Sequence, residues 1–548
     1  MAKRDSSKAP SKFRFRKNYN IGVSDAEQDG NFLYDCFVDT GEIDILRNPS
    51  DPRRIVLGRT GAGKTALLME FQNEEHSRVI SIKPESLALN YISNSNILNF
   101  VLDLGVSLDV FFRLLWRHVF VVEILKAHFK IQDERDSLSL IERIRSMFQD
   151  NRHDRALQYL RTWGKTFWED TDYRIKEVTT KVESDLTASL GTTIPPAKIT
   201  VGGAQKVSEE EKREIIPRAQ EVINKVQIRE LSDIIDLLRD VLAQKQAVYY
   251  ILIDRLDENW VSDKLRYLLI RALIETVRDF RKASQVKIII ALRYDLIDRV
   301  FRETRDAGFQ EEKYESLYLN LLWNKKHLTD ILDRRIYHLV KQSYTTQVVT
   351  HSDVLPASIS KQATIEYLVQ RTLMRPRDII EFFNFCIVQA SDNPKISSQM
   401  IRQAEGEYSR TRLRSVADEW YADYPNLFTF TELLKNRPAQ FSLNQITLDD
   451  CADFCLNLLI GATAKPDPLF DIAERFVETA VYALQFKQRV FQIFYRTGLV
   501  GLKLATYEST AWTFDGRRNI AVSEITDETK VSIHPCFYRI FGTQIRGE

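Results

Sequence analysis

The sequence has little of what would cross-link a chain, bind a structural metal or draw the whole molecule to a charged partner. Its five cysteines are scattered and include no CxxC pair, so neither a disulfide framework nor a zinc site is indicated. The eight histidines form no evident metal-ligand cluster. The formal net charge is only +1, so any binding to nucleic acid or to a membrane surface must come from a local patch.

Long apolar runs and a signal peptide are also missing. The most apolar stretch, residues 100–125, is interrupted by charged residues, and it predicts buried helices rather than a membrane span. Residues 1–17 are rich in lysine, arginine and serine without an apolar segment, which predicts a basic flexible tail over residues 1–20. With 44% hydrophobic and 28% charged residues, the chain has the composition of a globular protein, and we expect it to be cytoplasmic.

A glycine-rich loop that fits the pattern G-x-x-x-x-G-K-[ST] is the most specific feature present. It occupies residues 58–65, after an apolar run and before a helical pattern. Glycines let backbone N–H groups turn around a phosphate, and the helix start adds the positive end of its dipole. Lys64 is predicted to reach the β- and γ-phosphates, and the Thr65 hydroxyl to bind Mg²⁺. We therefore predict nucleotide contacts from Gly58, Arg59, Thr60, Gly61, Ala62, Gly63, Lys64, Thr65 and Ala66.

A second apolar run, residues 249–253, ends in an acid, Asp254. In phosphate-loop NTPases the acid at the end of such a strand holds Mg²⁺ beside the loop, so Asp254 is predicted to be a second metal ligand. Hydrolysis also needs an acid that orients or activates water. Asp257 and Glu258 are both candidates for this role, and the sequence does not choose between them.

Three arginines are candidate contacts to the nucleotide. Arg293 follows the apolar run 287–292 and could touch the γ-phosphate or the second acid; alternatively, it pairs with Asp295 or Asp298. Arg375 and Arg377 flank Pro376 at a predicted helix start, where a cation opposes the helix dipole. That cost suggests that one of them reaches back to phosphate, although a surface position is the alternative.

The base of the nucleotide is predicted from a missing motif. Specificity for GTP would require an Asn/Thr-Lys-x-Asp sequence, and residues 324–327 break this pattern because His327 stands at its last position. We therefore expect ATP and Mg²⁺ as the ligands.

Strand-like runs at residues 54–57, 79–82, 248–253, 286–292 and 317–322 alternate with helical patterns. This alternation predicts an α/β core with a mainly parallel sheet, built from residues 21–94 and 243–345. Between the two halves, residues 95–242 predict a long helical insert with a mobile loop near 191–214. A helical lid is predicted over 346–410. Residues 411–548 mix helices with a late β signal at 507–514, 519–522 and 530–533, which predicts a winged-helix-like domain.

Together these motifs resemble the AAA+/STAND type of P-loop ATPase. The Asp254-x-x-Asp257-Glu258 form is similar to that of NACHT and KAP NTPases, and Arg293 resembles the arginine sensor of STAND proteins. Residues 317–336 are similar to the last core strand and helix of the archaeal and eukaryotic replication-initiator ATPases. Residues 375–378 resemble the sensor 2 element of a lid, and the carboxyl-terminal region resembles the winged-helix ending of bacterial P-loop ATPases, many of which are thought to act in antiphage defence.

The resemblance implies an ATPase that works as a regulatory switch in bacterial defence or stress signalling. It also implies a homo-oligomer, an effector protein as partner, or both, while it leaves an arginine finger open among Arg299, Arg302 and Arg335. The alternative is a DNA-binding AAA+ ATPase that acts as an initiator, a loader or a DNA sensor. Its winged segment would need a basic surface, for which Lys487, Arg489, Arg496, Lys503, Arg517 and Arg518 are available.

Overall fold

The structure is a computed structural model, and it describes most of the chain. The described residues are 13–86, 95–129, 171–191, 207–225, 238–239, 242, 248–258, 260–305, 310–341, 348–460, 466–479, 483–515 and 519–544. The chain divides into two compact units. We call Gly41–Arg59 with Leu67–Leu321 the sheet unit, and Met1–Thr40 with Thr60–Ala66 and Leu322–Glu548 the lid unit.

Helices outnumber strands in the described residues. The helices are α1 (Asn31–Asp35), α2 (Glu42–Arg47), α3 (Lys64–Glu74), α4 (Asn96–Asp103), α5 (Asp109–Phe129), α6 (Thr171–Leu190), α7 (Glu209–Lys225), α8 (Asp263–Asp279), α9 (Tyr294–Glu303), α10 (Glu312–Glu315), α11 (Lys325–Lys341), α12 (His351–Val354), α13 (Thr364–Gln370), α14 (Pro376–Gln389), α15 (Ser398–Glu419), α16 (Leu427–Phe430), α17 (Leu448–Ile460), α18 (Pro468–Thr479), α19 (Ala483–Thr497) and α20 (Tyr538–Phe541). The strands are β1 (Ile55–Gly58), β2 (Val79–Ile82), β3 (Tyr249–Ile253), β4 (Val286–Arg293), β5 (Tyr318–Asn320), β6 (Ser358–Ile359), β7 (Gln362–Ala363), β8 (Gln440–Ser442), β9 (Val500–Lys503) and β10 (Lys530–Ile533).

The sheet unit is built on five parallel strands in the order β2-β3-β4-β1-β5. Every residue of β1 and β3 is buried, as expected of parallel strands that are covered on both faces. All strands of the sheet coincide, within a few residues, with the apolar runs that predicted them. The α/β class and the P-loop NTPase core are therefore confirmed.

Parallel pairing brings the ends of three strands to one edge of the sheet. In the register of β1 with β4, Gly58 lies opposite Arg293. β3 pairs with the other side of β4, so Asp254, the residue after β3, follows at the same edge. Ligands of open α/β sheets bind outside the carboxyl ends of the strands. Arg293 and the first of the predicted acids, Asp254, lie at this edge.

The insert is mostly helical where it is described, and it packs within the sheet unit. α5 contains most of the apolar stretch 100–125 and lies along α8. Its buried Trp116 donates an indole hydrogen bond to the carbonyl of Leu269 at 2.9 Å. Arg113 pairs with Glu275 of α8 at 3.2 Å, and Arg117 pairs with Asp279. Two of the charges within the apolar stretch, Arg113 and Arg117, thus bind a neighbouring helix.

The predicted mobile loop is described only at its ends. Residues 192–206 lie outside the described residues. After them, Ser208 and Glu211 form a reciprocal cap at the start of α7: the Ser208 hydroxyl accepts the Glu211 N–H at 3.3 Å, and the Glu211 carboxylate accepts the Ser208 N–H at 2.9 Å. The charged run 208–214 therefore begins a helix.

The lid unit contains more of the chain than the predicted lid. It includes α11, which lies in the predicted core segment 243–345, and its long helix α15 continues to Glu419, beyond the predicted boundary at residue 410. α15 packs along α14, where the rings of Phe382 and Tyr408 stack with centroids 4.6 Å apart.

The predicted flexible tail is wrong for residues 13–20. Phe13 and Phe15 are 3% and 1% exposed and belong to the core of the lid unit. The Phe15 N–H donates to the carbonyl of Asn393 at 3.0 Å, and the Phe15 carbonyl accepts the Asp392 N–H at 2.7 Å. The two aromatic residues anchor this segment by burying apolar surface, although the basic residues around them suggested a solvated chain. Residues 1–12 lie outside the described residues.

The carboxyl-terminal part forms an antiparallel sheet in the order β8-β10-β9, and α17, α18 and α19 connect β8 to β9. These helices and strands lie within the predicted winged-helix-like domain, and the assignment of that domain stays a prediction. Of the three predicted late strands, only 530–533 is a strand, namely β10. Residues 507–514 contribute a single bridge between Leu502 and Ala511, and Val522 to Glu524 form a 3-10 turn.

Candidate nucleotide-binding site

In the sheet unit, the chain makes a strained turn directly after β3. The side chain of Asp254 accepts the N–H of Arg255 at 2.8 Å. Arg255 has φ of 60°, in the left-handed region that residues other than glycine rarely adopt. Such strain persists only where the surrounding structure enforces it, and it concentrates at functional sites. The turn sets the direction of the chain after β3, and thereby the positions of Asp257 and Glu258 near the end of the strand.

Arg293, the last residue of β4, contacts both an acid of the following helix and one of the candidate catalytic acids. Its guanidinium forms two hydrogen bonds with Asp295, at 3.0 and 2.8 Å, and a third with Asp257 at 3.3 Å. The sequence left two alternatives open, pairing with Asp295 and contact with the second acid, and both are present. The carboxylate of Asp257 is therefore engaged by a cation.

Glu258 lies in a different environment from Asp257. Its nearest described cation is Arg255, at 3.5 Å, and its side chain is 45% exposed. Partial burial raises the pKa of Glu258; Arg255 opposes this effect, while the neighbouring acids Glu85 and Asp257 add to it. A carboxylate with a raised pKa is a better proton acceptor. The two acids differ in their charged neighbours, which are Arg255 for Glu258 and Arg293 for Asp257.

In the lid unit, the glycine-rich loop has the backbone that the pattern requires. Gly61 and Gly63 have φ of 77° and 91°, which glycine adopts without strain. The carbonyl of Ala62 accepts the indole N–H of Trp323 at 2.8 Å. α3 begins at Lys64, so Lys64, Thr65 and Ala66 form the helix start. A left-handed glycine loop that leads into a helix amino terminus fits a polyphosphate group.

Arg375 is bound to this loop, but through the backbone. Its Nη1 donates to the carbonyl of Thr60 at 2.8 Å and lies 3.1 Å from the Glu419 carboxylate. Its Nε pairs with Asp378 at 3.1 Å. Burial alone would lower the pKa of Arg375, but Asp378 and Glu419 hold it above its ordinary value. The guanidinium is thus committed to carboxylates and to the loop carbonyl, and the surface alternative for Arg375 is wrong.

Arg377 lies against the same loop with a different set of neighbours. Its aliphatic stem covers Gly61 so closely that a β-carbon there would lie 2.8 Å from the Arg377 Cβ. Its Nε donates to the carbonyl of Ser24 at 3.3 Å. Burial and the charges of Arg375 and Arg412 lower the pKa of Arg377, and no carboxylate among the described residues pairs with it. A cation in this position favours an anionic ligand.

Several residues of the site were not predicted. Asp378, Arg412 and Glu419 form buried ion pairs with or beside Arg375, and Trp323 supports the loop. Asp378 directly follows Arg377 and lies three residues after Arg375 in the sequence, and this spacing could have predicted an ion pair. Glu419 carries no local signal, because it stands at the end of a long helix past the predicted lid.

Other predicted cations have structural roles. Arg335, a candidate arginine finger, is buried and pairs with Asp29. In the winged-helix-like domain, Lys487 is 5% exposed and donates to the carbonyl of Leu443 at 3.1 Å, and it also pairs with Asp527. The guanidinium of Arg496 lies 5.6 Å from the centroid of the Trp420 ring. Arg517 and Arg518 lie outside the described residues.

The parallel sheet and the glycine-rich loop that leads into α3 together fit the core of a P-loop NTPase. A family model described as a FunZ-associated C-terminal helical domain matches residues 326–417, which is the segment from α11 to near the end of α15. A protein of Escherichia coli (strain K12) described as "Putative transposon gamma-delta 80.3 kDa protein" is 21% identical over 536 residues, covering 95% of this chain and 67% of that protein.

Among solved structures, the Aeropyrum pernix ORC1 protein in complex with DNA is 11% identical, with 92% of this chain and 91% of that one covered. Its TM-score of 0.31 is too low to carry the fold assignment, which rests on the sheet and the loop themselves. Within the described residues, no helix combines the length and apolarity needed to cross a membrane.

The close fit of Arg377 on Gly61 gives a first prediction. Gly61→Ala should lower the free energy of unfolding by about 1–3 kcal/mol, because alanine is strained at positive φ and its methyl group overlaps Arg377. Gly406→Ala is the matched control: Gly406 lies inside α15 with open space around it, and alanine there should add about 0.5–1 kcal/mol. Denaturant titration measures both, and equal effects of the two changes would contradict the packing described.

Proposed function

We propose that the protein binds ATP with Mg²⁺ and hydrolyses it as a regulatory switch. One observation supports this proposal above all: strand β1 is followed by a loop with two left-handed glycines, and the loop by a helix that begins at Lys64. In this proposal Lys64 contacts the β- and γ-phosphates, and Thr65 and Asp254 supply oxygen ligands for Mg²⁺. The backbone N–H groups of the loop bind the remaining phosphate oxygens.

The charged groups around the acids support different roles for neighbouring residues. Glu258 is proposed to accept a proton from the attacking water, because its pKa is raised and its ion pair is with Arg255, at 3.5 Å, rather than with Arg293. Arg293 is proposed to position Asp257 and to respond to the γ-phosphate, since it already bridges Asp257 and Asp295. Arg377 is the lid cation proposed to contact phosphate, and Arg375 acts on the loop through Thr60.

The biological role is proposed on narrower grounds. We propose that ATP binding changes the conformation of the lid and that a protein effector or other copies of the chain respond to it, in bacterial defence or stress signalling. The motif series resembling STAND proteins supports this role. In this proposal a partner supplies any chemistry beyond ATP hydrolysis.

A second prediction tests the phosphate site. Lys64→Ala should abolish ATP binding, measured by equilibrium titration with a fluorescent ATP analogue, because the ammonium group no longer balances the phosphate charge. The control is Lys325→Ala, which removes an exposed ion pair with Glu366 and should leave affinity and unfolding temperature nearly unchanged. ATP binding by Lys64→Ala at the affinity of the unchanged protein would refute the assignment.

A third prediction separates the two acids by pH. A general base works only when deprotonated, so the turnover rate should fall as pH decreases through the raised pKa of Glu258, above the ordinary glutamate value of 4.5. Glu258→Gln should lower kcat by roughly 10²-fold or more and remove this acid limb, with ATP affinity retained. Asp257→Asn should change kcat less and keep the limb. The opposite ranking of the two variants would assign the base to Asp257.

DNA binding is the second candidate function. A specific feature favours it: a groove of about 690 Å³ in the winged-helix-like domain, between α18, α19 and Val522, presents the exposed side chains of Arg475 and Arg489. The printed name of the Escherichia coli relative connects that protein with a transposon. Against this candidate, the burial of Lys487 removes one cation from the surface on which DNA binding would depend, and the half-buried Arg496 packs on Trp420.

A fourth prediction tests this candidate. If the groove binds DNA, affinity should fall steeply with salt, with a log–log slope of about −0.9 per phosphate contact. The double change Arg475→Glu with Arg489→Glu should weaken binding and flatten the slope. Arg410→Glu, at an exposed position on α15, is the control with less expected effect. A slope that the double change leaves untouched would exclude the groove as the binding surface.

A further inference from the structure

Two residues of the lid unit, Arg375 and Glu419, bind the backbone carbonyl and the backbone N–H of Thr60 in the glycine-rich loop. The Thr60 carbonyl accepts from Arg375 at 2.8 Å, and the Thr60 N–H donates to the Glu419 carboxylate at 3.3 Å. The same Glu419 carboxylate lies 3.1 Å from Arg375. Thr60, Arg375 and Glu419 therefore form a closed triangle of contacts, which we call the Thr60 clamp.

The clamp is buried and electrostatically strong. The side chains of Arg375 and Glu419 are 4% and 5% exposed. Behind them, Asp378 is fully buried and pairs with both Arg375 and Arg412. Burial alone would raise the pKa of Asp378, but the two arginines hold it well below its ordinary value. Hydrogen bonds to charged groups are stronger than neutral ones, and more so away from water.

The position of Thr60 makes the clamp relevant to ligand binding. Thr60 stands directly before Gly61, the first glycine of the loop with positive φ, and four residues before Lys64. A short loop with fixed ends has few ways to move, so holding Thr60 restricts the orientation of the N–H groups that follow. A preformed loop binds its ligand without first losing conformational freedom.

We propose that Glu419 is a positioning residue for the phosphate loop, acting with Arg375 through the backbone of Thr60. This inference rests on the proposed nucleotide-binding function and extends it to a residue outside the motifs. Glu419 touches no phosphate in this proposal. It fixes the loop in the conformation that binds nucleotide, and its effect therefore appears in affinity rather than in the chemical step.

Glu419→Ala tests the proposal in the full-length protein. Two quantities are measured: the affinity for a fluorescent ATP analogue, and hydrogen exchange of the loop peptide that contains residues 58–66 without nucleotide. Glu419→Ala should weaken ATP binding about tenfold, accelerate exchange in this peptide and leave kcat at saturating ATP within about twofold. Glu419→Gln keeps an oxygen that accepts the Thr60 N–H and should recover most of the affinity and of the protection from exchange.

Glu407→Ala is the matched control. Glu407 lies on the same helix and pairs with Arg410, but both side chains are more than half exposed, so neither affinity nor loop exchange should change. If Glu419→Ala fails to fold, Glu419→Gln and the exchange of its loop decide the question, and loss of kcat without loss of affinity in that variant would overturn the proposal. Unaltered loop exchange in Glu419→Ala would also overturn it.

Nucleotide affinity and hydrogen exchange of the loop distinguish a failure of the proposed nucleotide-binding function from a failure of the positioning role of Glu419. If the unchanged protein binds no nucleotide, the proposed function fails, whereas the exchange comparison still tests the clamp. If the unchanged protein binds ATP and Glu419→Ala binds it equally well, the positioning role fails alone.

Discussion

The buried carboxylate of Asp378 is the interaction on which the lid unit depends. It accepts hydrogen bonds from Arg375, from Arg412 and from the backbone N–H of Leu373. Asp378 is the one carboxylate that pairs with both arginines, while Glu419 pairs with Arg375 and Glu381 with Arg412; an unpaired buried ion would cost several kcal/mol. Asp378 thereby joins the start of α14 to the last turns of α15, and it leaves Arg375 oriented toward the loop backbone.

The sheet and the loop were predictable because their signals are local. Apolar runs such as 249–253 and 286–292 are buried on both faces of a parallel sheet, and the spacing of Gly58, Gly63 and Lys64 belongs to one short motif. The clamp was not predictable, because Thr60 and Glu419 are brought together by the tertiary fold. The buried state of Phe13 and Phe15 was missed for the same reason: their partners lie near Asn393.

The winged-helix-like domain shows why a count of basic residues is a poor guide to a binding surface. Lys487 and Arg496 lie on α19, the helix before β9, yet one is buried among carbonyls and Asp527 and the other rests on an aromatic ring. Their long side chains contribute to packing as well as to charge. The surface charge of this domain therefore depends on which faces of α18 and α19 remain open, and that property emerges only from the folded arrangement.

Helix α15 also has mechanical properties that follow from its length. Glu405, near its middle, is buried against Arg371 and Tyr367 and contacts Arg539 of the last helix, while Glu419 at its end holds Thr60. The fourteen steps between the two glutamates span about 21 Å along the axis at 1.5 Å per residue. Charged contacts thus hold this helix near its middle and at its carboxyl end, so a small tilt about Glu405 would displace Glu419 sideways at the loop. Helix α20, through Arg539 and Glu405, and the glycine-rich loop, through Thr60 and Glu419, thus contact the same helix at two separate points.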